Sequence, residues 1–317
     1  MKRTYSILIP LLFAITLRII FGASILDDFI SVMSITFFLA VPAGVGALTI
    51  YFSNSEKVKS WSYRFFMPWI PVLLVIAVTM LLMIEGWACW LMIAPFFLLA
   101  SSVGGLIAGY FKLRKNKKQQ NINLSIVLLL PFFIGPIENA LPRSPEIFTT
   151  YTSIIINADA PKIWKNVTSV KTISKNEDSS KLISWLGFPK PVKAELDTLA
   201  VGGFRKAIFE KGLVFNETVT KYENLKLMEF QIKANTFEIP STTLDEHILI
   251  GGEYFDMLNG TYQLQKISNN QYKLMLYSHF SMNTTFNFYA GIWGNWIMKD
   301  IQNNILKVIK NRSEKHD

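Results

Sequence analysis

Hydrophobic and polar positions divide this chain into two unlike halves. Before residue 142 the apolar residues come in long blocks separated by short polar breaks. After it they recur in short alternating runs. The first half is predicted to hold about five helices, over residues 5–22, 30–52, 67–84, 87–111 and 122–141. At roughly 18–25 residues each, such blocks suffice to cross a bilayer core of about 30 Å. Pro131 and Pro136 interrupt the fifth. Small residues at helical spacing, Ala40/Gly44, Ala43/Ala47 and Gly105/Gly109, read as faces that let helices approach closely.

The second half, residues 146–317, reads as one soluble domain. Thr149–Ile156 is β-branched and aromatic and predicts a strand. Asp159 with Pro161 predicts a helix start, and Ile163, Trp164 and Val167 share one face of that helix. A short helix over Lys181–Leu186 precedes a turn at Gly187-Phe188-Pro189. Strands follow at Val192–Leu199, Phe204–Glu210, Leu213–Tyr222, Lys226–Lys233, Thr261–Ile267 and Tyr272–Asn283. Turn signals separate them, among them Gly202-Gly203, Lys211-Gly212 and Asn259-Gly260. Residues 235–253 form a long connection of no clear period. The chain closes on a helix over Trp293–Lys310, with Ile297, Met298, Ile301, Ile305, Val308 and Ile309 on one face. The fold class expected is an all-α transmembrane bundle followed by an α+β domain, a curved antiparallel sheet around a long C-terminal helix.

Charge supplies an orientation. Residues 1–145 carry 12 Lys/Arg against 5 Asp/Glu, whereas residues 146–317 carry 20 against 18, so most of the net +9 lies in the apolar half. Lys112, Arg114, Lys115, Lys117 and Lys118 crowd five cations into seven residues between two apolar blocks. Lysine and arginine gather on the cytoplasmic side of spanning helices. The run is therefore a topology anchor, and Lys2/Arg3 and Lys57/Lys59/Arg64 fall on the same side. Asp27, Asp28, Glu85 and Glu138 fall on the other. This alternation places the N-terminus in the cytoplasm and the C-terminal domain outside it, in an integral membrane protein. Arg18 is expected to snorkel to the outer interface, with Trp87 and Trp90 at that interface. A signal peptide shares the look of residues 1–24, but Arg18 and the later spans favour a retained helix. The composition suits a bacterial cytoplasmic membrane; the sequon Asn166-Val167-Thr168 also fits a eukaryotic secretory one.

Candidate chemistry is sparse. The near-neutral second half argues against a nucleic-acid partner. His247, His279 and His316 are scattered, and no metal-ligand spacing or cofactor motif occurs, so neither metal nor cofactor is expected. Cys89 is the only cysteine and excludes an internal disulfide. Weak catalytic candidates are His279, Tyr254 and Asp256. Trp164, Phe255, Tyr289, Trp293 and Trp296 cluster near the helices that bracket the sheet, as pocket lining or as core. The Phe286–Tyr289 run precedes the last helix, as a pocket rim or a segment dipping towards the bilayer.

Residues 149–312 resemble the START-like superfamily, the SRPBCC group of polyketide cyclase/dehydrase and lipid-transport proteins. The resemblance is carried by Ala160-Pro161-x-x-Trp164 after the first strand and Gly212-Leu213-Val214-Phe215-x-Glu217-x-Val219 in mid-sheet. Gly260-Thr261-Tyr262-x-Leu264 and the tryptophan-rich closing helix also match. It implies a helix-grip fold with an apolar pocket between sheet and last helix. The function expected is a membrane-anchored, extracytoplasmic module that binds or transfers a hydrophobic ligand, lipids included, with the bilayer as its other partner. The alternatives are a cyclase-, dehydratase- or hydrolase-like enzyme on an apolar substrate, and a non-enzymatic interaction or sensory protein.

Overall fold

The computed structural model describes residues 4–26, 29–114, 117–141, 143–234 and 250–315, the side chains of residues 24 and 117–128 apart. Lys2, Arg3, Asp27, Asp28, Lys115, His247 and His316 lie outside the described residues, as do the side chains of Lys117 and Lys118. The chain falls into two units. The first comprises Met1–Arg143 with Thr284–Phe286, the second Ser144–Asn283 with Asn287–Asp317.

The first unit is helical: α1 (Tyr5–Phe21), α2 (Ile35–Tyr51), α3 (Ser55–Val58), α4 (Trp61–Phe66), α5 (Trp69–Leu81), α6 (Trp87–Leu113) and α7 (Lys117–Ala140). Among the described residues, two helical stretches are long and apolar enough to cross a membrane, Trp61–Leu81 and Trp87–Leu113. Helices α1 and α2 are apolar but shorter, at 17 residues each, or about 26 Å. The polar segment 53–64 between the second and third apolar blocks holds α3 and the start of α4. Asn54 and Ser60 cap them through side-chain oxygens.

Helix α2 packs on α6 at very short range. A Cβ on Gly46 would lie 1.8 Å from the Ser101 carbonyl oxygen, and one on Gly104 would lie 1.9 Å from that of Ala43. Gly105 and Gly109 pass beneath Arg64 and Pro68 in the same manner. Glycine is required there because no side chain fits between backbones this close.

Four charged side chains, Arg18, Glu85, Glu138 and Lys112, are tied down by bonds within this unit. Arg18 does not snorkel: it is 5% exposed and bonded to buried Glu85. The low-polarity surroundings favour pairing over an isolated charge. Glu138 caps α2, accepting from the Ile35 and Thr36 amides at 2.7 and 2.9 Å and from the Thr36 hydroxyl at 2.5 Å. A carboxylate at a helix N-terminus satisfies orphan amides and complements the dipole. At the other end of α2, the Lys112 ammonium donates to the carbonyls of Ile50, Tyr51 and Ser53. Trp90, expected at an interface, is buried instead, its indole N–H donating to the Thr79 hydroxyl at 2.8 Å.

Among the described residues, the second unit is a seven-stranded antiparallel sheet with three α-helices. Its elements are β1 (Glu146–Ile156), α8 (Ala160–Thr168), α9 (Leu182–Leu186), β2 (Pro191–Leu196), β3 (Phe204–Phe209), β4 (Val214–Glu223), β5 (Leu227–Ala234), β6 (Phe255–Ser268), β7 (Gln271–Met282) and α10 (Asn287–Glu314). The strands are ordered β1-β7-β6-β5-β4-β3-β2, a meander whose last strand returns beside the first. Ile163, Trp164 and Val167 are buried along one face of α8. Asp159 occupies its N-cap position, but its side chain makes no capping bond.

Several predicted boundaries move by a few residues, and two readings change outright. Asn259-Gly260 is not a turn but lies inside β6, just past a bulge between Met257 and Asn259. Gly260 is needed because the Phe230 ring covers it, 2.6 Å from where a Cβ would sit. The last helix starts at Asn287 rather than Trp293, so Asn287, Phe288 and Tyr289 are its first turn and not a loop before it.

Helix α10 lies on the face of the sheet where β1 and β7 meet. Gly291 and Gly294 admit the stacked rings of Phe148 and Phe280. A buried polar ladder then fixes the register. The Thr150 hydroxyl donates to Asn295 Oδ1 at 2.5 Å and that of Thr152 to Gln302 Oε1 at 2.9 Å, while Gln302 Nε2 donates to Ser278 Oγ at 2.8 Å. Met298, Leu306 and Ile309 join the apolar core that runs across the sheet to Val219, Phe230 and Tyr262. A sheet closed on one face by a long C-terminal helix is the helix-grip arrangement.

Candidate functional site

The chemistry on this inner face is concentrated in four side chains from four successive strands. Arg205 on β3 stands directly opposite Glu217 on β4 in the antiparallel register. Glu217 shares its face with Val219, two residues along, and Val219 belongs to the core beneath α10. Cross-strand partners on one face are close enough to interact. Arg205 Nη1 donates to the Glu217 carboxylate. The Arg205 guanidinium also lies 5.4 Å from the ring centre of Phe230 on β5 and 5.8 Å from that of Tyr262 on β6. Arg205 is 3% exposed, Glu217 4% and Tyr262 2%.

Burying two charges costs several kcal/mol per ion before their attraction is counted, so an apolar pair often serves stability equally well. The electrostatics record that cost. Burial works against the charged guanidinium, yet the attraction of Glu217 outweighs it and Arg205 stays charged. Burial pushes the Glu217 carboxyl up, and Arg205 offsets only part of the rise. Burial likewise pushes the Tyr262 phenol up. The ion pair leaves one donor over: Arg205 Nε has no hydrogen-bond partner. An unmet buried donor costs about 1–3 kcal/mol. The site can therefore offer one N–H, backed by a full positive charge and walled by aromatic rings, to an oxygen acceptor.

The residues singled out from sequence are distributed differently. Trp164 and Phe255 do join the inner core: Trp164 is buried and its indole N–H donates to the Tyr222 hydroxyl at 3.1 Å, and Phe255 packs 5.7 Å from Phe280. Tyr289 and Trp293 are half-buried, and Trp296 is 52% exposed with its ring 5.2 Å from that of Trp293.

His279 alternates with the buried residues Ser278 and Phe280, on the face turned away from the core, where Nδ1 lies 2.6 Å from Asn259 Oδ1. Asp256 pairs with Ser281 in the same register and so takes that outer face too. Burial raises its pKa, opposed by the Met257 amide. Tyr254, half-buried, precedes β6. The inner face thus collects Trp164 and Phe255 but neither His279 nor Asp256. No group of three or more potential metal ligands occurs among the described residues. In the first unit Arg114 lies over the Tyr110 ring, 4.4 Å from its centre, one helical turn away.

Arg205 was missed, and Glu217 was noted only within the mid-sheet motif and not as a site residue, because a charge in a strand reads as solvent-facing. The available signal was Glu217 at an alternation position between Phe215 and Val219, both apolar.

No family model matches this chain, and no curated protein matches it. Among solved structures it is similar to a START superfamily protein from Mycobacterium smegmatis, at 9% identity and a TM-score of 0.34 over 52% of this chain and 97% of that one. It is similar to the Zhui aromatase/cyclase from Streptomyces sp. R1128, at 9% identity and 0.34 over 53% and 94%. It is also similar to a truncated norcoclaurine synthase from Thalictrum flavum, at 12% identity and 0.31 over 56% and 98%.

Proposed function

We propose that this protein is a membrane-anchored binding module for an amphiphile. An apolar body lies against the inner face of the sheet, and an oxygen acceptor meets Arg205. The observation that carries this reading is the unmatched Nε of a guanidinium that is 3% exposed inside an apolar core. A charged donor is roughly twice as strong as a neutral one. It therefore selects a carboxylate, phosphate or carbonyl oxygen over a plain hydrocarbon. Glu217 holds the guanidinium in place, while Phe230 and Tyr262 form the walls.

The first unit serves as the anchor, with five spans and the N-terminus in the cytoplasm. Its two long apolar stretches and the basic run Lys112, Arg114, Lys115, Lys117 and Lys118 support that topology. The binding domain then lies outside the cytoplasm and meets a membrane-soluble ligand at high local concentration. Catalysis through His279, Tyr254 and Asp256 has weaker support, because His279 and Asp256 face away from the apolar core.

Native mass spectrometry of the full chain released from detergent micelles, with lipid extraction, tests the reading. A stoichiometric ligand carrying an oxygen headgroup is expected. A clean apo mass after incubation with membrane extract would overturn it.

A further inference from the structure

Helix α10 does two things along its length. Its C-terminal part buries Met298, Gln302, Leu306 and Ile309. Its first turns instead leave a stripe uncovered: Phe288 is 63% exposed, Ile292 46% and Trp296 52%. Four-residue spacing stacks these side chains on one face of a helix, over about 12 Å of its length. Exposed Lys299 closes the row. Single exposed apolar residues are ordinary, but a contiguous row of large ones marks an interaction site.

We propose that this stripe docks on the surface of a lipid bilayer, a proposal that rests on the membrane-anchored reading above. The composition fits that occupant. Tryptophan and phenylalanine with a terminal lysine suit the headgroup boundary, where an aromatic body meets hydrocarbon and a cation meets phosphate. Chain continuity fits it as well. Phe288 follows Phe286 by two residues, and Thr284–Phe286 belongs to the unit that carries the long apolar helices. Within that unit the Thr285 hydroxyl accepts from the Ile35 amide at 2.8 Å, and the Phe286 ring lies 4.1 Å from that of Phe38. The start of α10 therefore follows directly in the chain from a segment packed within the anchoring unit. Docking there brings the helix that closes the binding face to the source of the ligand.

The test places the photoreactive residue p-benzoylphenylalanine at Ile292 or Trp296 in the full chain, reconstituted in phosphatidylglycerol/phosphatidylcholine nanodiscs. Thr220, exposed on β4, is the soluble-face control, and Leu99, exposed on α6, is the membrane control. Lipid adducts at 292 and 296 at about five-fold or more above the Thr220 level, alongside strong adducts at Leu99, support the proposal. Adducts at Leu99 alone overturn the docking and leave the anchor standing. Adducts at none of the positions overturn the anchor and the docking together. Protein–protein crosslinks at 292 and 296 overturn it in favour of a second copy or another protein partner.

Discussion

Replacing Glu217 with leucine leaves the Arg205 guanidinium, 3% exposed, without its counter-charge. Arginine cannot escape by losing its proton, so the substitution carries the full cost of an unpaired buried charge, about 3–5 kcal/mol. At about 2–4 °C per kcal/mol for a domain of this size, the melting midpoint falls by roughly 6–20 °C. Arg205→Met is expected to cost less, because Glu217 can take up a proton and burial already pushes its pKa up. The double variant Arg205→Met/Glu217→Leu removes both charges and is expected to regain wild-type stability or exceed it by about 1–4 kcal/mol. It is nevertheless expected to lose the ligand. The assay is amide exchange across β3 and β4 in the full chain, paired with mass analysis of extracted lipid. A double variant as unstable as Glu217→Leu would show that the pair serves the fold, and one that keeps its ligand would show that Arg205 does not hold it. Either result would refute the reasoning.

Three further outcomes follow from the geometry. Gly104→Val must push α2 from α6, since a Cβ there meets the Ala43 carbonyl at 1.9 Å; a loss of about 3 kcal/mol and of monodispersity in detergent is expected by size-exclusion chromatography. Gln302→Leu strands the buried hydroxyls of Thr152 and Ser278 and is expected to cost about 2–3 kcal/mol, read as faster amide exchange in β1 and α10. Hydrogen bonding from Arg312 is the main cause that holds the Glu177 pKa down at about 2, with Ser174 adding to it, against a usual value of 4.5. A depressed carboxyl adds stability above its unfolded pKa and loses it as pH falls through the folded one. The melting-point advantage of the parent over Arg312→Gln is therefore expected to be full above pH 4.5 and to fade towards pH 2, and a constant advantage would contradict it.

The strand pattern was legible because one face of the sheet is packed and the other is not, so polarity alternates along β1, β4, β5 and β7. Asn259-Gly260 misled for a tertiary reason. The pair suits a tight turn, but Gly260 is set by the Phe230 ring of the next strand, which no local window contains. The early start of α10 was hidden because Phe288 and Ile292 are apolar without being buried, which blurs the helical period. Arg18 and Glu85 were each readable as span-end charges; that they pair depends on α1 meeting the turn after α5, a contact 67 residues apart. The same holds for Arg205 and Glu217, where two ordinary strand charges become a site only once register sets them face to face inside a core.

The most direct measurement is an experimental structure of the full chain purified with the ligand it extracts from membranes. The account predicts an acyl or polycyclic body on the inner face of the sheet, with one ligand oxygen about 2.7–3.2 Å from Arg205 Nε. A ligand bound elsewhere, or one lying on this face with its oxygens away from Arg205, would contradict it.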